Sequence, residues 1–95
     1  MSVVKLLYPV PPLDDEKAFE VICTIVVDGE GRAACETAFE IFNSYVDEMH
    51  CDRKYLGYVK SFRNLNKRSM SVGDVLDVDG VRFECMDMGF RKVAS

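Results

Sequence analysis

Few side chains in this chain are of types that carry out chemistry. His50, the single histidine, stands beside Cys51 and Asp52, a trio that suggests a thiolate nucleophile assisted by a base. Adjacent residues project in different directions, however, and there is no second histidine, so nucleophilic catalysis is not expected. Cys23, Cys35, Cys51 and Cys85 are spaced 12, 16 and 34 residues apart, without a Cys-x-x-Cys pair. That pattern fits neither a zinc module nor a disulfide framework, so no metal and no cofactor is expected. Cys23, Cys35 and Cys85 fall on apolar faces, where a free cysteine behaves as a small hydrophobe. Ser71 and Asp74 could line a small-ligand pocket, but no converging set of polar groups accompanies them. The expectation is a protein that is not an enzyme.

Charge is the more informative chemistry. The net charge is −4 and the pI about 4.9, yet the signs are segregated. From Asp14 to Asp52 there are 11 acidic residues against Lys17 and Arg32 alone. From Arg53 to Arg68 there are six basic residues (Arg53, Lys54, Lys60, Arg63, Lys67, Arg68) and no acid, with Tyr55, Tyr58 and Phe62 interleaved. Such a stretch could meet a phosphate backbone, with Tyr55 and Tyr58 as stacking platforms, or an acidic protein. It could equally pair with the acidic helix of the same molecule or of a second copy. The second reading is favoured, because dedicated nucleic-acid domains usually have a pI above about 9. Two candidate binding surfaces follow: a basic, polar loop of Arg63, Lys67, Arg68, Ser69 and Ser71, and an acidic helix face of Glu36, Glu40 and Asp47. That acidic face could also mimic nucleic acid and occupy a basic groove on a partner.

These residues need elements to position them. Asp79-Gly80 between Val75–Val78 and Val81–Met86 predicts a hairpin with a type I′ turn, in which both central residues have positive φ. Its register pairs Val78 with Val81, Asp77 with Arg82, Leu76 with Phe83 and Val75 with Glu84. Leu76, Val78, Val81, Phe83 and Cys85 then share an apolar face. Ser71 to Asp74 reads as a turn, with Gly73 free to be left-handed, and Gly89-Phe90 as a corner returning Phe90 to the core. Cys35, Ala38, Phe39, Phe42, Val46 and Met49 recur at helical spacing, predicting an amphipathic helix from near Arg32 to between Asn43 and Met49. Val3–Tyr8 and Phe19–Val27 read as strands, the latter central or near-central. Tyr55–Phe62 is expected as a further strand, weakened by Gly57, and Asn64–Met70 as a polar loop.

The order β-β-α-β-β-β predicts an α+β fold. It is a small antiparallel or mixed sheet of about four to five strands with one amphipathic helix on one face. At 95 residues the chain forms one domain, with residues 1–15 an extension carrying a proline-rich connector and residues 16–95 the core. No apolar run approaches the length of a membrane span and the N-terminus lacks signal-peptide features, so a cytoplasmic protein with no membrane partner is expected. A free sheet edge would allow homodimerisation.

Ala38-Phe39 and Asn43 on the helix, then Arg68-Ser69-x-Ser71-Val72-Gly73-Asp74-Val75, then Gly89-Phe90, form a set that resembles YodL-like domains. These are small proteins common in bacteriophages and mobile elements. The resemblance spans roughly residues 19–93. It implies a strand, an "AF…N" helix, a spacer, an RSxSVGDV hairpin and a terminal Gly-Phe. It carries no catalytic residues and implies a small phage-type domain of undefined function, often encoded beside genes that act on host machinery. This sequence departs from the pattern in Met70 between the serines and in its proline-rich arm. The expected function is a non-enzymatic module, in the host cytoplasm, that binds and modulates a host protein. An anti-defence inhibitor such as an anti-CRISPR is one version. The alternative is a nucleic-acid-binding domain using residues 53–68.

Overall fold

In the computed structural model, which describes residues 1–10, 18–43 and 53–93, Asp79 and Gly80 both have left-handed backbones, with φ of 52° and 92°. The two-residue turn therefore takes its type I′ form and sets the register of β3 (Val75–Val78) against β4 (Val81–Cys85). All four expected cross-strand pairs are present, from Val75 opposite Glu84 to Val78 opposite Val81. The Asp77–Arg82 pair forms an ion pair at 3.9 Å on the solvent side. Leu76, Val78, Phe83 and Cys85 are buried on the other side, whereas Val81 is exposed.

The turn also clips the hairpin to the strand before it. Asp79 N–H donates to the Val3 carbonyl (3.0 Å), and Val3 N–H donates to Asp79 Oδ1 (2.8 Å). This places β1 (Ser2–Val10) beside β3, with Leu6 opposite Leu76. On its other side β1 pairs with β2 (Ala18–Val27), with a bulge between Leu6 and Leu7. With β5 (Phe90–Lys92) the strands form one antiparallel sheet in the order β2-β1-β3-β4-β5. The segment expected as an extension thus supplies an inner strand, with Val4 and Leu6 wholly buried. β2 lies at the sheet edge rather than at its centre. Its apolar run reflects packing on one face, since Ile25 and Val27 are buried while Val21 and Val26 are exposed.

Among the described residues two helices cover the inner face, where the sequence predicts one. α1 (Gly31–Asn43) buries Ala34, Cys35, Ala38, Ile41 and Phe42. The strand expected at Tyr55–Phe62 is helical instead: a 3₁₀ turn (Arg53–Tyr55) runs into α2 (Leu56–Asn64). The reason is periodic. Tyr55, Tyr58, Val59 and Phe62 stand at i, i+3, i+4 and i+7, which gathers them on one helical stripe. Phe62 packs on Phe42 with ring centroids 5.0 Å apart, joining the two helices over the sheet. Val46 and Met49, placed on the helix by sequence, lie outside the described residues.

Removing the Asp79 carboxylate tests the clip. Asp79→Ala puts a methyl side chain in a left-handed conformation and leaves Val3 N–H without its acceptor, so the thermal midpoint falls. Asp79→Asn keeps both the conformation and an acceptor oxygen and stays near wild type at neutral pH. The Val3 N–H holds the Asp79 carboxyl below its usual pKa. Its contribution is therefore full above the ordinary carboxylate range and fades as the pH falls through the lowered value. The Asn variant lacks that acid-side loss, which denaturation at stepped pH measures.

Candidate functional site

The Arg68–Asp74 segment is built around a buried carboxylate. Gly73, with φ of 96°, sits third in a tight turn closed by Asp74 N–H donating to the Ser71 carbonyl (3.1 Å). The turn points the Asp74 side chain inward, where it is 1% exposed. Arg68 reaches it with both arms of its guanidinium, Nη1 to Oδ2 and Nη2 to Oδ1, each at 2.7 Å. Ser71 N–H donates to Oδ2 as well, at 2.7 Å. Arg68 Nη1 also meets the Ser69 carbonyl and Ser71 Oγ. The guanidinium carbon lies 3.9 Å from the Tyr8 ring centroid, and the Tyr8 hydroxyl donates back to the Arg68 carbonyl. Cys85 N–H donates to the Asp74 carbonyl at 2.8 Å, and Gly73 N–H to the Cys85 carbonyl at 2.9 Å, fastening the loop to β4. The Asp74 hydrogen bond pushes the Arg68 guanidinium pKa still higher, so Arg68 stays protonated.

Of the basic, polar loop, then, Arg68 and Ser71 are engaged within the fold. Arg63 and Lys67 remain exposed at the end of α2 and just beyond it. With Ser69, Phe42 and Phe62 they line a small depression of about 170 Å³. Lys67 Nζ is 3.8 Å from Glu20. The tyrosines expected to stack on bases have a different task. Tyr55 and Tyr58 hydroxyls accept Asp28 N–H (2.9 Å) and Val26 N–H (3.2 Å) from the outer edge of β2. Their rings stack 6.2 Å apart, and Tyr55 is buried. Two hydroxyls thereby replace the carbonyls that a neighbouring strand would present, blunting this half of the edge. Lys54 closes the end by pairing with Asp28 and lowering that carboxyl's pKa. An open groove of about 520 Å³ floored by Val26, Gly57 and Tyr58 lies alongside.

The acidic face borders another concavity. Glu36 and Glu40 are exposed on α1, whereas Asp47 lies outside the described residues. Between α1 and the turn joining β4 to β5, a cleft of about 360 Å³ is lined by Glu36, Phe39, Glu40, Met86, Asp87 and Phe90. Gly89, with φ of 85°, and the Met86 N–H to Gly89 carbonyl bond (2.9 Å) shape the turn and swing Phe90 toward α1. Phe39 and Phe90 meet edge to face, with centroids 6.1 Å apart. Arg32 stands at the rim, its Nε donating to the Phe90 carbonyl at 3.2 Å. Sequence periodicity assigned Phe39 to the core, yet it is 38% exposed. The signal was present: on a helix Phe39 lies only about 60° around from Glu36, at the boundary of the apolar stripe.

Burial holds the thiols protonated: the Cys23 pKa rises to about 11, that of Cys35 to about 12, and that of Cys85 also rises. Among the described residues no group of three or more His, Cys, Asp or Glu side chains is placed to hold a metal ion, and no helix is long and apolar enough to cross a membrane. His50, Cys51 and Asp52 lie outside the described residues.

Burial, reinforced by the Asp74 charge, raises the Tyr8 phenol pKa to about 12. An unfolded chain releases that proton near pH 10. Stability is therefore unaffected below about pH 10 and falls as the pH climbs from there to about 12. Absorbance at 295 nm should show a tyrosine step that comes late or only with unfolding, and Tyr8→Phe should remove that step. No family model, no curated protein and no solved structure matches this chain.

Proposed function

We propose that this chain is a non-enzymatic interaction module that binds and modulates a protein partner through the cleft of Phe39 and Phe90. The observation that carries the reading is an exposed apolar patch within a charged rim. Phe39 is 38% and Met86 36% exposed, and Glu36, Glu40 and Asp87 line the same cleft. Exposed aromatic and methionine side chains ringed by polar groups are typical of protein-binding surfaces. Among the described residues, Arg68 and Asp74 hold each other and burial keeps the Cys23, Cys35 and Cys85 thiols protonated. Taken with the resemblance to YodL-like domains, the partner is a host protein in the cytoplasm of a cell invaded by a phage or mobile element. An acidic rim suits a basic, nucleic-acid-handling surface on that host protein, as an anti-defence inhibitor such as an anti-CRISPR would require.

A second reading, nucleic-acid binding, draws on the exposed side of α2 and its flanks, where Arg53, Lys60, Arg63 and Lys67 all face solvent. Engagement of the Tyr55 and Tyr58 hydroxyls weighs against base stacking there. The test compares three proteins as baits in host lysate: wild type, Phe39→Asp, and the double variant Lys60→Glu/Arg63→Glu. The proposal expects one partner retained by wild type and by the double variant and lost, at least tenfold, by Phe39→Asp. Retention by Phe39→Asp with loss in the double variant contradicts it. So would a gel shift of DNA or RNA by wild type that weakens steeply with salt.

A further inference from the structure

Resting on the reading of the chain as a protein-binding module, we infer that the outer edge of β5 takes up an extended segment of the partner as a further antiparallel strand. That segment sets a carboxylate opposite Lys92 and an apolar side chain opposite Phe90. The order β2-β1-β3-β4-β5 leaves the sheet two edges, and they are finished differently. On β2 a bulge at Ile22 interrupts the strand, and two tyrosine hydroxyls take up the Val26 and Asp28 amides. On β5, Arg91 stands opposite Glu84 and Val93 N–H donates to the Arg82 carbonyl at 2.9 Å, so these two residues turn their backbone groups toward β4. By alternation those of Phe90 and Lys92 face away from the sheet. The Phe90 carbonyl agrees, since it accepts Arg32 Nε from α1. Among the described residues nothing bonds the Phe90 N–H or the Lys92 N–H and carbonyl.

Charge selects what pairs with this edge. Arg91 and Lys92 are both exposed; Arg91 is held by Glu84 at 2.6 Å, whereas no carboxylate among the described residues pairs with Lys92. A second copy pairing all three residues about a two-fold axis would set Arg91 directly opposite its own equivalent, and like charges so placed destabilise a sheet. A partner strand with a carboxylate opposite Lys92 meets the unpaired charge instead. Two residues further along, the side chain opposite Phe90 lies on the same side of the sheet, toward α1, and reaches the cleft beside Phe39 and Met86. Backbone bonds hold the added strand and the cleft selects its side chain, the division usual in strand addition. Because β5 is only three residues long, a short peptide binds it with modest affinity.

The experiment is an NMR titration of the full chain with the peptide acetyl-Thr-Glu-Thr-Leu-Thr-amide, whose glutamate falls opposite Lys92 and whose leucine falls opposite Phe90. Saturable shifts should centre on residues 89–93, with Kd on the order of 1 mM, and cross-strand NOEs should link the peptide to Phe90 and Lys92. N-methylation of the glutamate, whose amide faces the Lys92 carbonyl, should weaken binding at least fivefold. N-methylation of the central threonine, whose amide faces away, should leave it unchanged. Exchanging the glutamate for lysine should weaken binding about two- to fivefold, and Lys92→Glu should restore the lysine peptide. Equal binding of the two N-methyl peptides, shifts clustered elsewhere, or no saturation would each overturn the inference. Peptide-free shifts at residues 90–92 that grow with protein concentration would assign the edge to a second copy and overturn it too. Lys92→Pro removes an outward N–H without breaking the ladder to β4; with an intact spectrum, it should lose both the peptide and the lysate partner. Loss of that partner on Phe39→Asp but not on Lys92→Pro would keep the cleft as docking surface and remove the added strand. Loss on Lys92→Pro alone would keep the strand and remove the cleft.

Discussion

A carboxylate with 1% of its surface in water is tolerable only if its charge is met at once, and Asp74 is met by the fork of Arg68 and the Ser71 amide. This interaction organises more of the chain than its size suggests. Arg68 leaves the loop after α2, Asp74 immediately precedes β3, Tyr8 comes from β1 and Cys85 from the end of β4. Four parts of the fold converge where one charge pair has to close. The pair fixes where β3 enters beside β1. The hairpin turn, clipped to Val3, fixes the far end of the same two strands.

Polar side chains elsewhere likewise complete backbone that would otherwise lack partners. The Ser2 hydroxyl, wholly buried, donates to the Gly29 carbonyl at 2.7 Å and pins the start of β1 to the turn before α1. Tyr55 and Tyr58 satisfy amides along β2, whose apolar residues would make a bare edge a template for aggregation. Among the described residues, the cleft beside α1 sets exposed apolar side chains beside carboxylates. Its position follows from the same framework, because β4 ends at Cys85, where the Arg68 loop is fastened, and the next turn delivers Phe90.

The parts of the fold legible in the sequence are those governed by local rules. Asp79-Gly80 demands one turn type, and the alternation on either side then has one register that buries Leu76 and Phe83. Gly73 and Gly89 mark turns for the same reason. The parts that were not legible depend on distant partners. Residues 55–62 fit a helical stripe as well as an alternating strand, and the match of Phe62 to Phe42 across the two helices selects the helix. The inner position of β1 rests on pairing with β3, some 70 residues later, and the prolines that follow it mask its importance. Arg68 looked like a surface cation because Tyr8, 60 residues earlier, is invisible to any local reading. Phe39 was assigned inward because helical periodicity alone does not say where a stripe ends.

The account stands most directly on a double-mutant cycle at Arg68 and Asp74, read by urea denaturation. Arg68→Ala strands a buried carboxylate. Because Arg68 is itself half exposed, the cost should be about 2–4 kcal/mol, somewhat below that of breaking a fully buried pair. Arg68→Ala/Asp74→Ala should be markedly less unstable than the sum of the two single changes, with a coupling of at least about 1 kcal/mol. Single effects below about 0.5 kcal/mol that simply add would show that this pair does not hold the fold together.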